Sequence, residues 1–175
     1  MNQTKKNNIS IPSYWEWLFK GLNGQSPGLA AYLDGWIILH ISIAIIFAST
    51  VDIDAKTSLS LSIPFLGVLI AITVAWCGNI TSLLCSSEIA ELSTHYPGKV
   101  ESYAFIVQNV ILILFIALIL WILKGFDILS GWFFDFLIFL FSSLAIRDSW
   151  NIILFSQLLT IARVKIILRD LNNKG

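Results

Sequence analysis

Charge is what this sequence has least of. Of 175 residues, 13% are Asp, Glu, Lys or Arg, where soluble domains carry about a quarter. That scarcity argues against a single water-soluble domain. Basic and acidic residues number 11 each, so the formal net charge is zero and nothing favours nucleic acid or an acidic substrate as a partner. Cysteine is almost missing as well. Cys77 and Cys85 are the only two, and on a straight helix their spacing sets them about 12 Å apart along the axis. They cannot bridge each other and they fit no zinc or CxxC pattern, so both read as small buried residues. The chain also lacks GxSxG, HExxH and a glycine-rich loop ending in Gly-Lys-Ser/Thr. The expectation is a protein that is not an enzyme and holds no cofactor or metal.

What is abundant is hydrocarbon. Hydrophobic residues make up 57% of the chain, and the mean hydropathy is +0.80. The run from Pro64 to Cys85 carries no charge over a length that, at ~1.5 Å per residue, covers the ~30 Å core of a bilayer. It predicts a transmembrane helix opened by Pro64. Gly67, Ala71, Ala75 and Gly78 leave it shallow enough for another helix to approach closely, and Asn79 near its far end needs a hydrogen-bond partner there. Three further apolar runs predict spans at 33–51, 103–123 and 128–146. Polar connections separate them at 52–60 and 124–127, and the second helix is expected to continue past the membrane to about Thr94 before a turn at Tyr96-Pro97-Gly98.

The ends of the chain read differently. Residues 1–10 are polar, and Ser13 with Glu16 forms a capping box for a short helix over 11–20, in which Trp15, Leu18 and Phe19 share a face. Trp15 and Trp17 suit a lipid or partner surface. No signal peptide is expected, because more than thirty residues precede the first long apolar run. After the fourth span, Arg147-Asp148-Ser149-Trp150-Asn151 is too polar for a membrane centre, and Ile152 to Leu168 resumes an apolar pattern at helical spacing. Ser149, Ser156, Arg163 and Asp170 recur every seven residues and, with Thr160, form a polar stripe on a helix whose other faces are broadly apolar.

These readings combine into an all-α integral membrane protein with four transmembrane helices and amphipathic helices at both ends. It divides into a segment 1–32, a four-span bundle 33–146 and a cytoplasmic helix 147–175. Lys5, Lys6, Lys20, Lys99, Arg147, Arg163, Lys165, Arg169 and Lys174 fall on one side of such a bundle and only Lys56 and Lys124 on the other. Both termini are therefore expected on the cytoplasmic side of the cell inner membrane.

Within the spans a few polar residues stand out. His40, Asn79, Gln108 and Asn109 each lie about 9 Å inside the cytoplasmic limit of a span, with Ser142 and Ser143 near the same level. They read either as interhelical hydrogen bonds or as a polar layer facing a pore or ligand. Asp135, among Trp132, Phe133, Phe134 and Phe136, is either an ion-facing carboxylate or the partner of Lys124. Glu88, Glu91 and His95 share a helix face that reads as solvated. Leu66-Gly67-Val68 through Trp76 to Asn79 resembles the pore-lining second helix of bacterial bestrophin-type anion channels over less than a tenth of the chain. The Arg-Trp-Trp-Glu run that follows in that family is Ser82-Leu83-Leu84-Cys85 here, and its large cytosolic domain has no counterpart.

The first functional expectation is an oligomeric, channel-like or pore-forming protein with a polar layer near the cytoplasmic side. The alternative is a non-enzymatic subunit anchoring or signalling to a soluble cytoplasmic partner, with Arg163, Lys165 and Arg169 of the terminal helix facing that partner or anionic lipid. A small lipid-modifying enzyme is the third. The expected partners are the bilayer, copies of the chain and a cytoplasmic protein.

Overall fold

The computed structural model describes residues 13–22, 26–86 and 99–172 of the chain. Among them every regular element is helical: α1 (Tyr14–Lys20), a 3-10 turn (Gly28–Tyr32), α2 (Trp36–Thr50), α3 (Ala55–Leu84), α4 (Lys99–Gly125) and α5 (Trp132–Asn172). Three of these, α3, α4 and α5, are long and apolar enough to cross a membrane. α2 has 15 residues, which at ~1.5 Å each reaches about 22 Å, short of a full hydrocarbon core.

The helices alternate in direction. α3, α4 and α5 pack on one another around Leu66, Ile80, Val110, Ala117, Ile138, Ala145 and Ile152, all almost inaccessible to water. α2 lies principally on α5, with Ala44 as its tightest packing point. One end of the bundle holds the α4–α5 hairpin, where Asp127 and Gly131 take positive φ; the other carries α1.

Helix ends explain where the observed elements differ from the expected ones. α3 begins nine residues before Pro64, because Asp54 accepts a hydrogen bond from the Thr57 backbone N–H at 2.7 Å and caps it. The Thr57 hydrogen bonds hold the Asp54 carboxyl below its usual value, so the cap is kept with the carboxylate ionised and fades only in strong acid. Pro64 thus sits inside the helix, which membrane helices tolerate. The α5 helix runs unbroken through Arg147-Asp148, so the expected fourth span and terminal helix are one rod of 41 residues. The expected extension of α3 with Glu88, Glu91 and His95, and the turn at 96–98, lie outside the described residues.

α1 forms as its capping residue dictates: Ser13 Oγ accepts from the Glu16 N–H at 3.2 Å, and Gly21 closes the helix at φ 77°. Its buried face differs from the expected one. Trp17, Leu18 and Leu22 turn inward toward Phe105 and Ile106, whereas Trp15 and Phe19 stack on each other outside. Trp17 is therefore a packing residue, not a lipid-facing one. Its ring lies so close to the 3-10 turn that a Cβ on Gly28 would come within 2.5 Å of it. Gly28→Ala should accordingly expel the ring and loosen α1, a red shift in tryptophan emission with roughly 1–3 kcal/mol of lost stability.

Candidate functional site

Several polar residues of this bundle are taken up by specific partners. Along α5, Asp135, Ser142, Ser149 and Ser156 stand seven apart, and each faces inward to a partner. Lys124 Nζ lies 2.8 Å from Asp135 Oδ1, and Trp121 Nε1 donates to Ser142 Oγ at 2.8 Å. Thr73 Oγ1 and Ser149 Oγ share a hydrogen bond of 3.0 Å, and Asn79 Nδ2 donates to Ser156 Oγ at 2.6 Å. The stripe expected on a free terminal helix is thus, in its upper part, the seam that joins α5 to α4 and α3.

A second polar group gathers where α2 begins. Tyr32 Oη donates to Asp148 Oδ2 at 2.6 Å and accepts from Asn109 Nδ2, while Tyr14 Oη donates to Asn109 Oδ1 at 2.6 Å. Arg147 Nε donates to the other oxygen of Asp148 at 3.2 Å, and its guanidinium lies 4.7 Å from the centre of the Tyr32 ring. Both oxygens of Asp148 are thereby engaged. Asp34 Oδ1 stands 3.8 Å from Arg147 Nη1. One turn along α5, His40 Nδ1 and Ser143 Oγ share a hydrogen bond of 2.5 Å.

Tyr32, Asp34, His40, Asn109, Arg147 and Asp148 border a cleft of about 980 Å³ that Trp17, Trp36, Trp150 and Phe155 also line. An apolar hollow with a few convergent polar groups has the make-up of a binding site. His40 has the serine partner that its sequence position did not suggest, 103 residues away. Among the described residues no carboxylate hydrogen-bonds to that imidazole, and Ser143 lies in a helix interior, so the pair joins α2 to α5.

The residues expected to share one layer are dispersed. His40 meets α5 at Ser143, Asn109 lies beside Asp148 through Tyr32, and Asn79 meets α5 at Ser156, which spreads them over about 20 Å of helix. Hydropathy marks where composition changes, not depth, and α3 runs further toward the α1 end than α2 does. Gln108 takes no part and faces outward from α4. Asp135 is paired with Lys124. On the tail, Lys165 is exposed, Arg163 half-buried, and Arg169 lies 3.8 Å from Asp170. Tyr32, Arg147 and Asp148 are the members that sequence reasoning missed; a charged pair directly after an apolar run was the available signal. No family model, curated protein or solved structure matches this chain.

Proposed function

We propose that the chain is a non-enzymatic, four-span membrane subunit that works as an oligomer, with α5 holding the copies together. The observation that carries this reading is a second seam on α5. Leu154, Gln157, Ile161, Val164, Leu168 and Leu171 follow one another at alternating steps of three and four, and all are exposed. That is the spacing of a left-handed coiled coil, and a single polar residue in such a seam suits a partner with the same residue opposite. A parallel second copy supplies it. The last buried residue of α5 is Leu159, so the helix continues about 20 Å further with its seam open among the described residues.

Tryptophans support the placement of the bundle in a membrane. Trp132 is exposed at the hairpin end, and Trp36 and Trp150 are exposed at the α1 end, about 27 Å away along α5. Two such belts suit the two headgroup levels of a bilayer. On this reading α2 crosses with help from the 3-10 turn, and the excess of Lys and Arg favours a cytoplasmic α1 end. With Asp135, Asn109 and Asn79 engaged within one copy, a conducting path would have to run between copies, and the exposed Gln108 of α4 is a candidate to face it.

Disulfide trapping in membranes tests the reading, in a background where Cys77 and Cys85 are replaced by alanine. Ile161→Cys should trap covalent dimers while Asp170→Cys, off the seam, should not. Ion flux through liposomes should fall several-fold in Gln108→Leu with the trapping unchanged. Dimers from neither position would overturn the assembly. The runner-up, a subunit whose tail holds a soluble protein, is favoured by the same exposed seam and predicts that Ile161 is shielded by that protein.

A further inference from the structure

Trp17, Tyr32, Trp36, Trp150 and Phe155 line the cleft at the α1 end, and its charged groups do not balance. Among the described residues of that lining, Asp34 and Asp148 stand against Arg147 alone, so with the His40 imidazole neutral the cleft carries one net negative charge. The two carboxylates are not equivalent. Asp148, with a side chain 4% exposed, accepts from both Tyr32 and Arg147, and Arg147 is thereby matched at 3.2 Å. The Asp34 side chain accepts no hydrogen bond among the described residues, and its nearest cation is Arg147 Nη1 at 3.8 Å, beyond hydrogen-bond reach. It is also 43% exposed, so the surplus charge sits on the carboxylate that a ligand can reach.

The aromatic lining has the same sign preference. A ring carries its negative charge on its face, where a cation rests, and indole is the strongest such platform. Trp36 and Trp150 are 63% and 60% exposed, so packing consumes neither ring. One ring of the group already meets a cation, since the Arg147 guanidinium lies 4.7 Å from the centre of Tyr32. A small, strongly hydrated ion gains little from such walls, whereas an alkylated ammonium gives up little water and keeps apolar contact with them. About 980 Å³ is room for an organic molecule with an apolar body. We infer that the cleft binds an amphiphilic organic cation, with Asp34 as its counter-charge and the indoles of Trp36 and Trp150 against its alkylated ammonium. Neither the α5 seam nor a conducting path enters this assignment.

The test uses full-length protein in lipid-depleted maltoside, with tryptophan emission as the readout and hexanoylcholine as the probe. Saturable binding is expected, weakening as salt is raised. The uncharged isostere, in which a tert-butyl group replaces trimethylammonium, should bind roughly tenfold or more weakly. Asp34→Asn should weaken hexanoylcholine roughly fivefold and leave the isostere unchanged. Trp36→Leu, which keeps apolar bulk and removes the ring, should weaken hexanoylcholine roughly threefold. Both side chains are exposed, so neither variant puts the fold at risk, and Trp17 and Trp150 still report in the second. Dihexanoyl phosphatidylcholine separates the sources of the cation. Displacement of hexanoylcholine by it assigns a lipid headgroup, whereas saturable binding of hexanoylcholine that it does not displace assigns a soluble amphiphile. No saturable binding, equal binding of the isostere, unchanged or tighter binding in Asp34→Asn, indifference to Trp36→Leu, or displacement by the anion hexyl sulfate would overturn the inference.

Discussion

Asp148→Ala should be the most damaging single substitution outside the apolar core. The Asp148 side chain is 4% exposed and accepts from both Tyr32 and Arg147, so its loss strands a phenol and a guanidinium together. Removing one member of a buried charged pair costs about 3–5 kcal/mol, because the remaining charge has given up its water and gained nothing. At about 2–4 °C per kcal/mol for a chain of this size, the melting temperature in detergent should fall by roughly 6–20 °C. Tyr32→Phe is the graded companion. It removes one donor to Asp148 and one acceptor from Asn109 but leaves the ion pair, and should cost about 1–3 kcal/mol. Equal effects from the two variants would mean that the charge pair is not what holds α2, the 3-10 turn and α5 together.

The Lys124–Asp135 pair should show the opposite of additivity. The side chains are 10% and 12% exposed, at the last turn of α4 and the first turn of α5, where both helix dipoles favour the charges they meet. Lys124→Met and Asp135→Leu should each cost about 3–5 kcal/mol, for each leaves a lone charge among phenylalanines. The double variant should regain most of that loss, since apolar residues of similar volume replace a pair whose desolvation nearly cancels its attraction. A double-mutant cycle read by thermal unfolding measures the coupling. Flux preserved in the stable double variant would identify the aspartate as structural. Flux abolished in it, with stability intact, would return Asp135 to the ion path.

The membrane character and three long helices were legible because hydrocarbon length and charge scarcity are local properties of sequence. Helix limits were less so. Asp54 lies in an acidic stretch that looks like a loop, yet its carboxylate is what starts α3. Pro64 looks like a start signal, but within a packed bundle neighbouring helices tolerate it. The Arg147-Asp148 pair looked like an exit from the membrane, because a charge in sequence resembles a charge in water. What makes it tolerable comes from Tyr32, 116 residues away from Asp148, and no spacing rule reaches that far. The seven-residue recurrence was visible from Ser149 onward. Dividing the chain at Ile146 hid that Ser142 and Asp135 continue it upstream.

That recurrence constrains how α5 can move. Seven residues fall ~20° short of two full turns, so from Asp135 to Ser156 the stripe drifts by about 60° around the helix. Its partners change accordingly, from Lys124 and Trp121 on α4 to Thr73 and Asn79 on α3. The stripe is in effect a screw thread seated against two different walls. Sliding or turning the rod breaks all four pairings together, and no neighbouring register restores them. Tilting it as a rigid lever, pivoting near Ser142 and Ser149, strains them least. A displacement of the Asp135 end would then reach the protruding end as an opposite sideways swing, enlarged by the greater length of helix beyond the pivot.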